Sequence, residues 1–126
     1  MPSMKNLRVL IIEDDGLVAL FLESVLERMG HEVCATAGSE SAAIDAAHRY
    51  APDLVIADAR LHSGSGVSAV ERISRARGEK VAYLFLSGDT AGITARLPGA
   101  ITLKKPFREA ALAEVIERAL AAAAAF

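Results

Sequence analysis

Five side chains fall where apolar runs of this chain stop. Glu13 and Asp14 follow the run 7–12, Asp58 closes the run 53–58, Ser87 follows 81–86, and Lys105 follows 100–104. Three carboxylates gathered at one place repel and resist ionisation unless a cation joins them. With oxygen ligands only and no His or Cys at ligand spacing, the cation favoured is hard Mg²⁺, which takes a carboxylate or two, a carbonyl, waters and a phosphate oxygen. The hydroxyl of Ser87 and the ammonium of Lys105 then remain to hold the other oxygens of a transferring phosphoryl group, with Asp58 as its acceptor. Taken singly, each residue has an ordinary role: acids near a helix N-terminus, a serine in a turn, Lys-Pro in a loop. Their joint position gives them weight.

That position depends on the elements. The runs 7–12, 53–58 and 81–86 are rich in β-branched and aliphatic residues and read as buried strands; 31–36 and 100–104 are two more. Between them lie helical patterns. Leu17, Leu20, Phe21, Val25, Leu26 and Met29 recur at helical spacing over 16–29, with Gly30 placed to end the helix. The segment 39–50 has Ser39 as N-cap and Pro52 behind it, and 66–77 is a third helix. Gly92, Pro98 and Gly99 break the fourth, which is expected to be short or irregular. The last helix, about 108–125, carries the inward stripe Leu112, Val115, Ile116 and Leu120. Five strands alternating with helices predict an α/β fold, one parallel sheet covered on both faces through right-handed crossovers. In such sheets chemistry gathers beyond the carboxyl ends of the strands, where all five candidates stand.

A chain of 126 residues is one domain, 1–126, able to bury a single core. Its net charge of -2 gives no electrostatic reason to expect nucleic acid or a membrane surface. The single cysteine, Cys34, excludes an intramolecular disulfide and reads as a core residue. With no apolar leader and no run near the ~20 residues of a membrane span, the expected location is the cytoplasm.

The whole pattern resembles the receiver domain of bacterial two-component response regulators. Glu13 and Asp14 match the family's acidic pair, Asp58 its phosphorylated aspartate, Ser87 its Ser/Thr and Lys105-Pro106-Phe107 its Lys-Pro-Phe; Gly66 also fits. The resemblance implies a flavodoxin-like, doubly wound sheet of order 2-1-3-4-5 and a cis bond between Lys105 and Pro106 that aims the lysine inward. It implies Mg²⁺ held by Asp14, Asp58 and the backbone carbonyl of Arg60, with Glu13 acting through water. Asp58 would take a phosphoryl group from a sensor histidine kinase or histidine phosphotransferase. Ser87 would then move toward it, reshaping the surface of the fourth helix, fifth strand and last helix for a downstream protein. A homodimer formed on phosphorylation is left open.

Three departures from the family pattern bear on switching. Thr102 stands where the family carries an aromatic residue, so the usual hydroxyl-to-aromatic relay is not expected. His62 stands where proline is common, in a flexible Ser63-Gly64-Ser65-Gly66 loop, and the segment between Ser87 and Lys105 is about one turn short. Arg60 and Asp89, each two residues beyond a site residue, are placed to form a salt bridge shielding the acyl phosphate.

Nothing follows the last helix, so output through protein contacts is expected: a single-domain response regulator working by phosphorylation-dependent binding or by phosphorelay. Such a protein assists its own phosphoryl transfer and dephosphorylation but is not an enzyme in the usual sense. A constitutive pseudo-receiver scaffold is one alternative. An aspartate-nucleophile phosphatase is another, although Arg60 occupies the place where those enzymes carry their second acid.

Overall fold

Strands form where the apolar runs lie. In the computed structural model, which describes residues 6–77, 81–88, 91–97 and 99–124, the strands are β1 (Arg8–Ile12), β2 (Glu32–Ala37), β3 (Leu54–Asp58), β4 (Ala82–Ser87) and β5 (Thr102–Lys104). They pair in parallel as one sheet of order β2-β1-β3-β4-β5. The helices are α1 (Gly16–Arg28), α2 (Glu40–Tyr50), α3 (Gly66–Arg77), α4 (Ala91–Arg96) and α5 (Glu109–Ala124). This is the expected flavodoxin-like α/β architecture, and α4 is the expected short helix of six residues.

Because successive side chains of a strand point to opposite faces, the central strands feed two cores at once. Val9, Ile11, Leu54, Ile56, Leu84 and Leu86 pack with α1 and α5. Leu10, Ile12, Val55, Ala57 and Phe85 pack with α2 and α3. Burial on both faces explains why these strands read as continuous apolar runs.

The helix ends follow their sequence signals. Asp15 caps α1, its Oδ1 accepting from the N–H groups of Leu17 and Val18, and Ser39 Oγ accepts from Ala42 N to cap α2. Gly30, at φ 94°, ends the first helical segment in the left-handed region where a side chain would be strained. The Lys105–Pro106 bond is cis.

One expectation is corrected, that of Cys34 in the core. On α1 the buried face is Ala19, Leu22, Val25 and Leu26, while Leu17, Leu20 and Phe21 of the apolar pattern face outward, at 80%, 62% and 54% exposure. Apolar residues cover more than one face of this helix, so periodicity alone could not choose which half turned inward. Cys34 is half-buried on the edge strand β2, where the register with β1 slips between Val9 and Leu10, and its Sγ lies 3.4 Å from Val9 O. Burial pushes its thiol pKa up, as expected of an unreactive cysteine.

Candidate functional site

The sheet delivers the acidic pair, Asp58, Ser87 and Lys105 to one edge. The β1 ladder runs one residue past the strand, with Glu13 N–H donating to Ala37 O at 2.8 Å, and this fixes Glu13 at the sheet end. Asp58 is the last residue of β3, in register with Leu86, so the buried Ser87 stands one residue beyond it on the neighbouring strand. Lys105 N–H donates to Ser87 O at 2.9 Å, which extends the β4–β5 ladder and aligns the lysine with these ends.

The ammonium closes the cluster. Lys105 Nζ donates to Asp58 Oδ2 at 2.9 Å and stands 3.6 Å from Glu13 Oε1. Burial alone would lower the lysine pKa, but the hydrogen bond and charge of Asp58, aided by Glu13, outweigh it and hold the ammonium above its usual range.

Glu13 shows the strain of packing like charges. It is 5% exposed, and its Oε1 has no hydrogen-bond partner among the described residues. Desolvation first, then the neighbouring Asp58, push its carboxyl up to about 7, against the lowering effect of the Asp15 N–H that donates to Oε2 at 3.1 Å and of Lys105. Asp14 behaves oppositely. The N–H of His62 donates to its Oδ2 at 2.5 Å, and with the imidazole nearby it holds this carboxyl below the ordinary range despite some desolvation.

The loop after β3 is folded back over the site. Arg60 N–H donates to Asp58 Oδ1 at 3.2 Å, Arg60 pairs with Ser65 in an antiparallel bridge, and Gly66 N–H donates to Ala59 O. A Cβ on Gly66 would collide with the carbonyl oxygen of Asp58, so only glycine allows α3 to start this close to the phosphoacceptor candidate.

These donors suit a hard divalent cation. An orphaned buried carboxylate oxygen and a neighbouring acid pair ask for positive charge beyond what Lys105 supplies. Among the described residues no three His, Cys, Asp or Glu side chains form a ready cage. The donors present are oxygens, the kind that hard Mg²⁺ takes, a cation that rests on one or two carboxylates and keeps several waters.

Of the residues singled out in the sequence, Glu13, Asp14, Asp58, Ser87 and Lys105 share this edge, and Arg60 reaches it through its backbone. Thr102 pairs with Phe85 at the start of β5. The expected Arg60–Asp89 salt bridge involves Asp89, which lies outside the described residues. Two contributors went unpredicted. His62 grips Asp14 across 48 residues, and Glu40 at the start of α2 anchors the loop 63–68. Contacts made by loops carry no periodicity. The one available signal was that His62, unlike proline, has an N–H to give.

Known proteins resemble this chain over most of its length. Residues 9–117 match the family described as response regulator receiver domain. The chain is 33% identical over 120 residues to the phyllosphere-induced regulator PhyR of Methylorubrum extorquens, a match covering 89% of this chain and 43% of that protein. It is 34% identical over 116 residues to the transcriptional regulatory protein PdtaR of Mycobacterium tuberculosis, covering 90% of this chain and 56% of the relative. The chain thus spans about half the length of the curated relatives it matches. The solution structure of the receiver domain of PhyR from Erythrobacter litoralis superposes with a TM-score of 0.83 at 32% identity, covering 94% of this chain and 93% of the other.

Proposed function

Since this chain belongs to the response regulator receiver domain family, signalling proteins of two-component systems and not classical enzymes, we propose that Asp58 is its phosphoacceptor. The observation that carries this reading is the contact of Lys105 Nζ with Asp58 Oδ2 at 2.9 Å, beside the acid pair Glu13 and Asp14.

In the proposed reaction an oxygen of Asp58 attacks the phosphorus of a phosphohistidine on a sensor kinase or histidine phosphotransferase. The O–P bond forms as the N–P bond breaks, and the departing imidazole keeps the electron pair and takes a proton from solvent. Lys105 follows the charge that grows on the phosphoryl oxygens, and Ser87 donates its hydroxyl to another of them. Asp14, Asp58 and the carbonyl of Arg60 would hold Mg²⁺, with Glu13 acting through water; bound there, the ion would supply charge neutralisation and a fixed orientation for the phosphoryl group.

The phosphodonor docks, on this reading, against the outer face of α1. Leu17, Leu20 and Phe21 form an exposed apolar stripe that begins two residues after the N-cap Asp15 and so borders the site. Receivers interact with kinases and with downstream partners; here the output is a protein contact made by, or a phosphoryl group passed on from, the phosphorylated form. The 126 residues work as one receiver domain in the cytoplasm. Among the described residues no helix is long and apolar enough to cross a membrane.

Incubation with a small phosphodonor and Mg²⁺, read by intact mass, tests the assignment. One phosphate adduct is expected, absent from Asp58→Asn and lost when the metal is chelated. If neither a small donor nor a phosphorylated kinase gives an adduct, the chain is instead a constitutive scaffold.

A further inference from the structure

The loop between β3 and α3 is held at two points. On one side Glu40 grips it: Oε1 accepts from Ser65 N at 3.1 Å, Oε2 accepts from Ser68 Oγ at 2.9 Å, and Glu40 N–H donates to Ser63 O at 3.3 Å. Gly64 lies against the same side chain, so closely that a Cβ there would stand 2.6 Å from Glu40 Cβ. On the other side the loop reaches across to the acid pair. His62 N–H donates to Asp14 Oδ2 at 2.5 Å, and His62 Nδ1 stands 3.0 Å from the same oxygen. The His62 side chain is 95% exposed. Asp14 is the contact that orients it.

We propose that His62 is a latch on Asp14, which must release this loop before its Oδ2 can take a divalent cation. The inference rests on the cation site proposed above. The backbone N–H presents its positive end to this oxygen and the imidazole stands beside it, both where a cation would have to approach, so the latched and the metal-bound arrangements compete. The backbone N–H is the stronger half, because its partner is a charged carboxylate at short distance; the imidazole is the weaker half, because water surrounds it. Glu40 keeps the far side of the loop in place when the latch opens. Cation binding is therefore reported as a movement of residues 60–62 with α2 and α3 as the fixed frame.

The test is Mg²⁺ titration by calorimetry on the wild-type chain, His62→Ala and His62→Pro, with the His62 amide of the wild type followed by NMR. The exposed ring makes His62→Ala a safe substitution, and thermal melting verifies that His62→Pro folds. Removing the ring should tighten Mg²⁺ binding about two- to fivefold, and removing the N–H as well should tighten it about tenfold or more. The His62 amide resonance should shift with Mg²⁺ saturation. Affinities equal to or below wild type in both variants overturn the latch and leave the cation site standing. No Mg²⁺ binding in any of the three proteins overturns the cation site and the latch together.

Discussion

Lys105 and Glu13 answer the same problem, that of three acids sharing one sheet edge. Lys105→Ala removes the ammonium held 2.9 Å from Asp58. Its expected effect is a phosphorylation rate lower by about 100-fold or more, measured as adduct formation against time at saturating Mg²⁺. Glu13 is a liability in the metal-free protein. Its pKa is raised from 4.5 to about 7, so the folded state holds a proton that the unfolded state has lost, and this contribution to stability fades as pH rises between those values. Glu13→Gln should therefore stabilise the metal-free protein at pH 8 by about 1–2 kcal/mol in denaturant titrations, while reducing the stabilisation that Mg²⁺ confers. The residue types of this cluster were legible in the sequence because each apolar strand ends abruptly in one of them. The grip of His62 on Asp14 was not: it joins residues 48 apart through a loop, and nothing local records it.

Among the elements, the start of α3 and the outer face of α1 matter most for the site. Gly66→Ala sets a methyl group against the Asp58 carbonyl oxygen. A destabilisation of at least about 2 kcal/mol is expected by denaturant titration, with loss of phosphorylation even where the fold survives. On α1 the outcome should be the reverse. Leu17→Ser with Phe21→Ser alters only exposed positions, so stability should change by no more than about 0.5 kcal/mol. Phosphorylation by a small donor should be unchanged and transfer from a protein donor slowed, and equal slowing of both would contradict a docking role. Periodicity identified α1 as a helix correctly but did not say which face is buried. Leu17, Leu20 and Phe21 share the helical spacing of core residues, and only the neighbouring strands decide that Ala19 and Leu22 turn inward.

At the scale of the molecule, the alternation of strand and helix left little freedom, and the order β2-β1-β3-β4-β5 follows from it together with the family resemblance. A buried titratable group also lies outside the site, just before the edge strand β2. His31 is 6% exposed, its Nδ1 has no partner among the described residues, and burial lowers its pKa below 6.5. The unfolded chain therefore takes up a proton that the folded chain refuses. His31 contributes stability that is present above about pH 6.5 and lost as pH falls through that region. Measured as the difference between wild type and His31→Phe, the loss should steepen toward a limit of about 1.4 kcal/mol per pH unit; parallel stability curves would contradict it.

The central claim is that phosphoryl chemistry is confined to one carboxylate at the end of β3, and locating the phosphoryl group tests it most directly. The protein phosphorylated in Mg²⁺ is reduced with borohydride, which converts an aspartyl phosphate to homoserine, and its peptides are sequenced by tandem mass spectrometry. Homoserine at position 58 alone is the expected result. Reduction at another carboxylate, or a phosphate that survives borohydride on a hydroxyl or imidazole, would contradict the assignment of Asp58.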